Sequence, residues 1–86
     1  MHRFPMNRAS KLKAKVLSGK GFHNFAFADA VLLVESLGFI HLRTQGSHWI
    51  FSHPTIPEPI NLQPVNGQCK PYQLRQIRSI IKEFTL

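Results

Sequence analysis

A short turn holding Gly46 separates two alternating apolar–polar runs, and this hairpin restricts what the chain can fold into more than any other feature. Phe39–Arg43 and His48–Ser52 alternate with the period of two that a strand requires, and Thr44–Ser47 supplies the reversal. Ile40 and Leu42 point one way on the first run, and Trp49 and Phe51 join them from the second. His48, Ile50 and Ser52 then occupy the opposite face. Ile60–Gln63 alternates again and predicts a short third strand between Pro59 and Pro64. The segment His53–Pro59 contains Pro54, Pro57 and Pro59, so it is expected as a loop or an edge, because proline donates nothing to a ladder.

Helical spacing brackets these strands. At the C-terminal end Pro71 suits the first helical position, and Leu74, Ile77, Ile81 and Phe84 form an apolar stripe that Ile80 widens. Arg75, Arg78 and Lys82 lie off the stripe, toward water or a partner. Residues 28–37 predict a second helix with Ala30, Val31, Val34 and Leu37 on one face, Asp29 in its first turn and Gly38 as its stop. Further upstream, Ser10 can cap a helix running to Leu17, ended by Gly19 and Gly21. The alternation of Lys11, Lys13 and Lys15 with apolar neighbours fits a strand as well. Residues 1–9 read as a loose tail. Eighty-six residues leave room for one core. The expected fold class is α+β: a two-layer α-β-β-β-α domain over residues 28–86, with a three-stranded antiparallel sheet carrying its helices on one face. A basic N-terminal arm, helical or extended, precedes it over residues 1–27.

The net charge of +7 is concentrated in that arm. Arg3, Arg8, Lys11, Lys13, Lys15 and Lys20 stand there with no acid among residues 1–28, which signals either a polyanionic partner or a solvated tail. The basic start and the run Phe25–Val34 imitate a secretory signal, but Asp29 interrupts the run and no small-residue cleavage site follows it. An organellar transit peptide is a lesser alternative to the expected cytoplasmic location. The single Cys69 excludes an intrachain disulfide and a cysteine-based zinc site. Four acidic residues in all argue against carboxylate-based two-metal catalysis, and neither a glycine-rich nucleotide loop nor a serine triad is present.

Leu37-Gly38-Phe39, Gly46-Ser47-His48 with Ile50-Phe51 behind it, and the closing Leu74-Arg75 helix together resemble the HicA family of bacterial toxins. Ile60-Asn61-Leu62-Gln63-Pro64 and Lys70-Pro71-Tyr72-Gln73 are similar to a longer branch of that family, which also has a segment like Lys11–Phe27. The resemblance covers Ser10 to Leu86. It implies a fold like a double-stranded-RNA-binding domain, cleavage of mRNA, neutralisation by a HicB-like antitoxin, and a catalytic role for His48. One departure stands out: family members often carry a second histidine directly after the first, where this chain has Trp49.

Histidine suits metal-free RNA cleavage because its ordinary pKa of ~6.5 lets it take and return a proton near neutral pH. Gly46 and Ser47 are expected to hold phosphate beside His48, Arg43 to be its cationic partner, and Lys11, Lys13 and Lys15 to contact RNA; a solubilising arm is the bland alternative for the lysines. No metal or organic cofactor is expected. From pattern alone His48 is as well read as a solvated turn residue. His41 is a candidate to share its face, with an ordinary surface residue as the alternative. Trp49 reads as core under the helices rather than as a base-stacking platform. Competing functions are a non-catalytic RNA-binding module on the same fold and an interaction domain whose arm binds an acidic protein.

Overall fold

The computed structural model describes residues 7–86, with elements in the order α-α-β-β-β-α. The helices are α1 (Arg8–Ser18), α2 (Phe27–Ser36) and α3 (Pro71–Phe84); the strands are β1 (Ile40–Gln45), β2 (His48–His53) and β3 (Ile56–Leu62). The three strands form one antiparallel sheet in the order β1-β2-β3. The α+β class and the closing α-β-β-β-α order are as the sequence predicts. Among the described residues no helix is long and apolar enough to cross a membrane.

The upstream segment is helical, and its cap is Asn7 rather than Ser10. The Asn7 side-chain oxygen accepts the Ser10 N–H at 2.8 Å, so the helix begins a turn's worth of residues earlier than Ser10 alone suggests. The loose tail expected over residues 1–9 lies outside the described residues as far as residue 6; from Asn7 onward the chain is ordered into α1. Gly19 ends α1 in the left-handed conformation. Leu12 and Val16 are buried in the common core, and α1 packs chiefly against α2 and α3. Two polar ties fix it there. Arg8 forks onto the Asp29 carboxylate of α2 at 2.8–3.0 Å, and Arg78 of α3 donates to the Leu17 carbonyl at 3.1 Å. Arg78 is therefore half-buried as a clamp on the carbonyl end of α1, not free for water or a partner.

Phe25–Phe27 leads into α2 and is laced to the 65–69 turn: Phe27 N–H donates to Gly67 O at 2.9 Å and Cys69 N–H to Phe25 O at 2.8 Å. Ala30, Leu33 and Val34 of α2 and Leu74, Ile77, Ile80 and Ile81 of α3 then close over Phe51, Ile60 and Leu62 of the sheet. Gly38 has φ +102° after α2, and a Cβ there would sit 2.8 Å from His53 Nε2. The His53 ring fills that space. It accepts the Thr55 N–H at Nδ1 and so donates from Nε2 to the Leu37 carbonyl at 3.1 Å.

Two irregularities separate the sheet from its predicted form. β3 begins at Ile56, well before Ile60, despite Pro57 and Pro59. Phe51 pairs with Ile60 and His53 with Ile56, so Pro57-Glu58-Pro59 spans opposite Ser52 alone. The prolines lie in a bulge on an edge strand, where no ladder hydrogen bond is asked of them. The second bulge is in β1: His41 pairs with Phe51, but Arg43, not Leu42, pairs with the next residue, Ile50. Cross-strand partners share a face, so His41 lies with Trp49 and Phe51 on the helix side. Ile40 and Leu42, expected in the core, are instead 59% and 55% exposed.

Candidate functional site

β1 and β2 are joined by Gly46 and Ser47, with Gln45 directly opposite His48. Gly46 has φ +60° and Ser47 does not have a positive φ, the signature of a type II′ hairpin with glycine in the first central position. No atom of the described residues lies within 4 Å of where a Gly46 Cβ would be, so its backbone conformation rather than crowding selects glycine. The turn fixes the register that makes His48 the first residue of β2. Its ring is exposed on the side of the sheet away from the helices.

Two neighbours reach His48 through strand geometry. Asn61 of β3 sits opposite Ile50, on the same face, and its side-chain oxygen lies 3.2 Å from His48 Nδ1. A carbonyl oxygen only accepts, so Nδ1 carries the hydrogen, and in the neutral ring Nε2 holds the lone pair. Arg43 arrives by the register of the turn. Counting back from Gln45 opposite His48 and Thr44 opposite Trp49 sets Arg43 opposite Ile50, on the face of His48, and the bulge lies beyond it. The open face therefore carries Arg43, the Gly46-Ser47 turn, His48 and Asn61 together, all exposed. Beyond Asn61 the surface sinks into a cavity of about 230 Å³ lined by His48, Asn61, Gln63, Tyr72, Gln73 and Gln76.

The other expected residues lie elsewhere. His41 is not on the face of His48; it stacks on Trp49 at 4.8 Å and hydrogen-bonds Thr44 at 2.8 Å. Trp49 meets Phe27 edge-on at 5.2 Å, so it packs against the core, as its spacing predicts. Lys11 and Lys15 are exposed on α1, in the helical layer, with Lys15 Nζ 5.2 Å from the centre of the Phe25 ring. Lys13 is half-buried and lines a separate cavity with Ser36, Leu37 and Leu86. Cys69 is buried, which pushes its thiol up to about 12, and its Sγ donates to Gln73 Oε1 at 3.3 Å.

A family match decides what this arrangement belongs to. Residues 27–85 match the HicA toxin of bacterial toxin-antitoxin systems. The chain belongs to the HicA toxin family. No curated protein and no solved structure gave a significant match. The matched HicA region begins at the first residue of α2, so it holds the whole sheet, α2 and α3, while α1 precedes it. Membership makes the chain a toxin component of a toxin-antitoxin system and implies an antitoxin partner.

Sequence reasoning did not find Asn61, Gln63, Tyr72, Gln73 or Gln76. The parity of β3 holds a partial signal: Asn61 and Gln63 alternate with Ile60 and Leu62 and must face away from the core. What placed them beside His48 is the β2–β3 register, and the bulge at Pro57–Pro59 hides that register from any pattern count.

Proposed function

We propose that this HicA toxin is an endoribonuclease of the cytoplasm that cleaves mRNA without metal or organic cofactor, and that a HicB-like antitoxin silences it. The observation that carries this reading is the state of His48: an exposed ring whose Nδ1 is engaged by Asn61, leaving the Nε2 lone pair on the open face beside Arg43. Such a ring is set up to act as a base. Nε2 takes the proton of a ribose 2′-hydroxyl; O2′ bonds to the adjacent phosphorus, and the bond from phosphorus to the 5′-oxygen breaks. The imidazolium returns the proton to that leaving oxygen. The products are a 2′,3′-cyclic phosphate and a 5′-hydroxyl. Asn61 Oδ1 supports the charge that forms on the ring.

Arg43 and the amides of Gly46 and Ser47 hold the phosphate under attack, and Lys11, Lys13 and Lys15 add attraction for RNA at longer range. One histidine serves both proton transfers, so turnover is expected to be slow. Positioned proton transfer contributes about 10²–10⁴ in rate. His48→Ala should therefore lose cleavage and growth arrest by that factor while still binding RNA. Undiminished cleavage by His48→Ala would remove the role assigned to this ring. The antitoxin, to silence the toxin, covers the His48 face and displaces RNA.

A further inference from the structure

The cavity beside His48 differs in chemistry from the surface around Arg43. Apart from His48, its lining among the described residues holds no histidine, lysine, arginine or carboxylate: four carboxamides, from Asn61, Gln63, Gln73 and Gln76, surround it with the phenol of Tyr72. Among the described residues a phosphate meets no lysine or arginine there. A neutral planar group with donors and acceptors along its edge meets several partners at once, because each carboxamide offers both. The volume of about 230 Å³ lies below the ~300–1,000 Å³ of sites that take whole drug-sized ligands, which suits one ring system. Tyr72 is 58% exposed at the cavity, leaving ring surface for stacking. Gln73 is the fixed point, 2% exposed, with Cys69 Sγ donating to its Oε1 at 3.3 Å and its Nε2 donating to the Tyr72 hydroxyl at 3.4 Å.

We infer that this cavity is a nucleobase subsite: it takes one base next to the phosphate held at His48, stacks it on Tyr72 and reads its hydrogen-bonding edge with Gln63 and Gln76. This rests on the nuclease reading above and extends it from backbone to sequence. Asn61 joins the two functions, since it lines the cavity and orients His48.

The test uses the full chain carrying His48→Ala and short oligoribonucleotides in which one position in turn is A, C, G, U or abasic. At one position the four bases are expected to bind unequally, and the abasic form about tenfold more weakly than the best of them. Gln63→Ala and Gln76→Ala should level the four affinities, and Tyr72→Ala should weaken all four alike. These side chains are exposed or half-buried, so their loss leaves the core intact. Abasic RNA binding as tightly as the best base at every position, or a base preference unmoved by both glutamine changes, would overturn the subsite. Cleavage by the chain with His48 intact is read separately. Base-selective binding without any cleavage would sink the nuclease and keep the subsite; cleavage with the same site preference in both glutamine variants would do the reverse.

Discussion

His48 owes its setting to three residues that each act through a different constraint. Gly46 supplies a φ of +60° that fixes the hairpin register. An alanine there must hold a positive φ that L-residues rarely adopt, at a cost of about 1–3 kcal/mol. Gly46→Ala should lower stability by that amount in urea titration, with no clash to relieve. Asn61 fixes the tautomer. Asn61→Ala should cut the cleavage rate about tenfold, the worth of one ordinary hydrogen bond. Asn61→Asp, which sets a carboxylate against the ring, should move the pH–rate profile to higher pH, a displacement that mere structural damage does not produce. Arg43 shares the face by strand alternation, two residues before Gln45. Of these, Gly46 and Arg43 are visible in the sequence beside His48, whereas Asn61 is thirteen residues away and becomes a neighbour only through pairing. Cys69 is a residue-scale prediction of another kind. Its thiol ordinarily loses its proton near 9.0, and burial pushes this up to about 12. The unfolded chain thus ionises first, and stability is whole below pH 9 and falls as pH rises toward 12. Native protein should resist thiol reagents at pH 8 and react on unfolding, and Cys69→Ala should lose the alkaline drop in stability.

The elements show which sequence signals decide and which are overruled. The α3 stripe of Leu74, Ile77, Ile80 and Ile81 is buried as spaced, because one amphipathic helix on one apolar sheet leaves no alternative arrangement. Period two in the lysines of α1 is overruled: Leu12 and Val16, four apart, are the pair that enters the core, and Asn7 caps the helix. The prolines of β3 mark an edge, as expected, but not the strand's start, since an edge bulge tolerates what a central strand does not. The same bulge logic displaced Ile40, Leu42 and His41 from their expected faces, because one extra residue reverses every side chain beyond it. Leu12→Ala should cost about 2–3 kcal/mol in chemical denaturation, as removal of a core side chain does and removal from a solvated arm does not. Breaking the Arg8–Asp29 fork should cost under about 1 kcal/mol, because the arginine is exposed.

At the scale of the molecule, a helical layer carrying α1 and its lysines backs a sheet whose open face carries the proposed chemistry. Charge and site are thus on different layers, joined by the fold rather than adjacent. The excess of positive charge, read from the sequence, fits a polyanionic partner or a solvated surface; it does not say where a polyanion would rest. Binding of RNA to His48→Ala should weaken steeply with salt, and Arg43→Ala should reduce the log–log slope by about 0.7, one phosphate's share on a single strand. Replacing Lys11, Lys13 and Lys15 together should lower the slope further. The antitoxin, added to the intact toxin, should protect the His48 face and compete with RNA for it.

The central claim is that the His48 imidazole moves the proton of a ribose hydroxyl. The most direct measurement is the rate and the end-group chemistry of RNA cleavage by the purified chain and by His48→Ala, in the presence of a chelator. Cleavage leaving 2′,3′-cyclic phosphate and 5′-hydroxyl ends, slowed about 10²–10⁴-fold by the substitution, is the predicted result. Cleavage that proceeds equally well in His48→Ala, or that leaves 5′-phosphate ends, would contradict it.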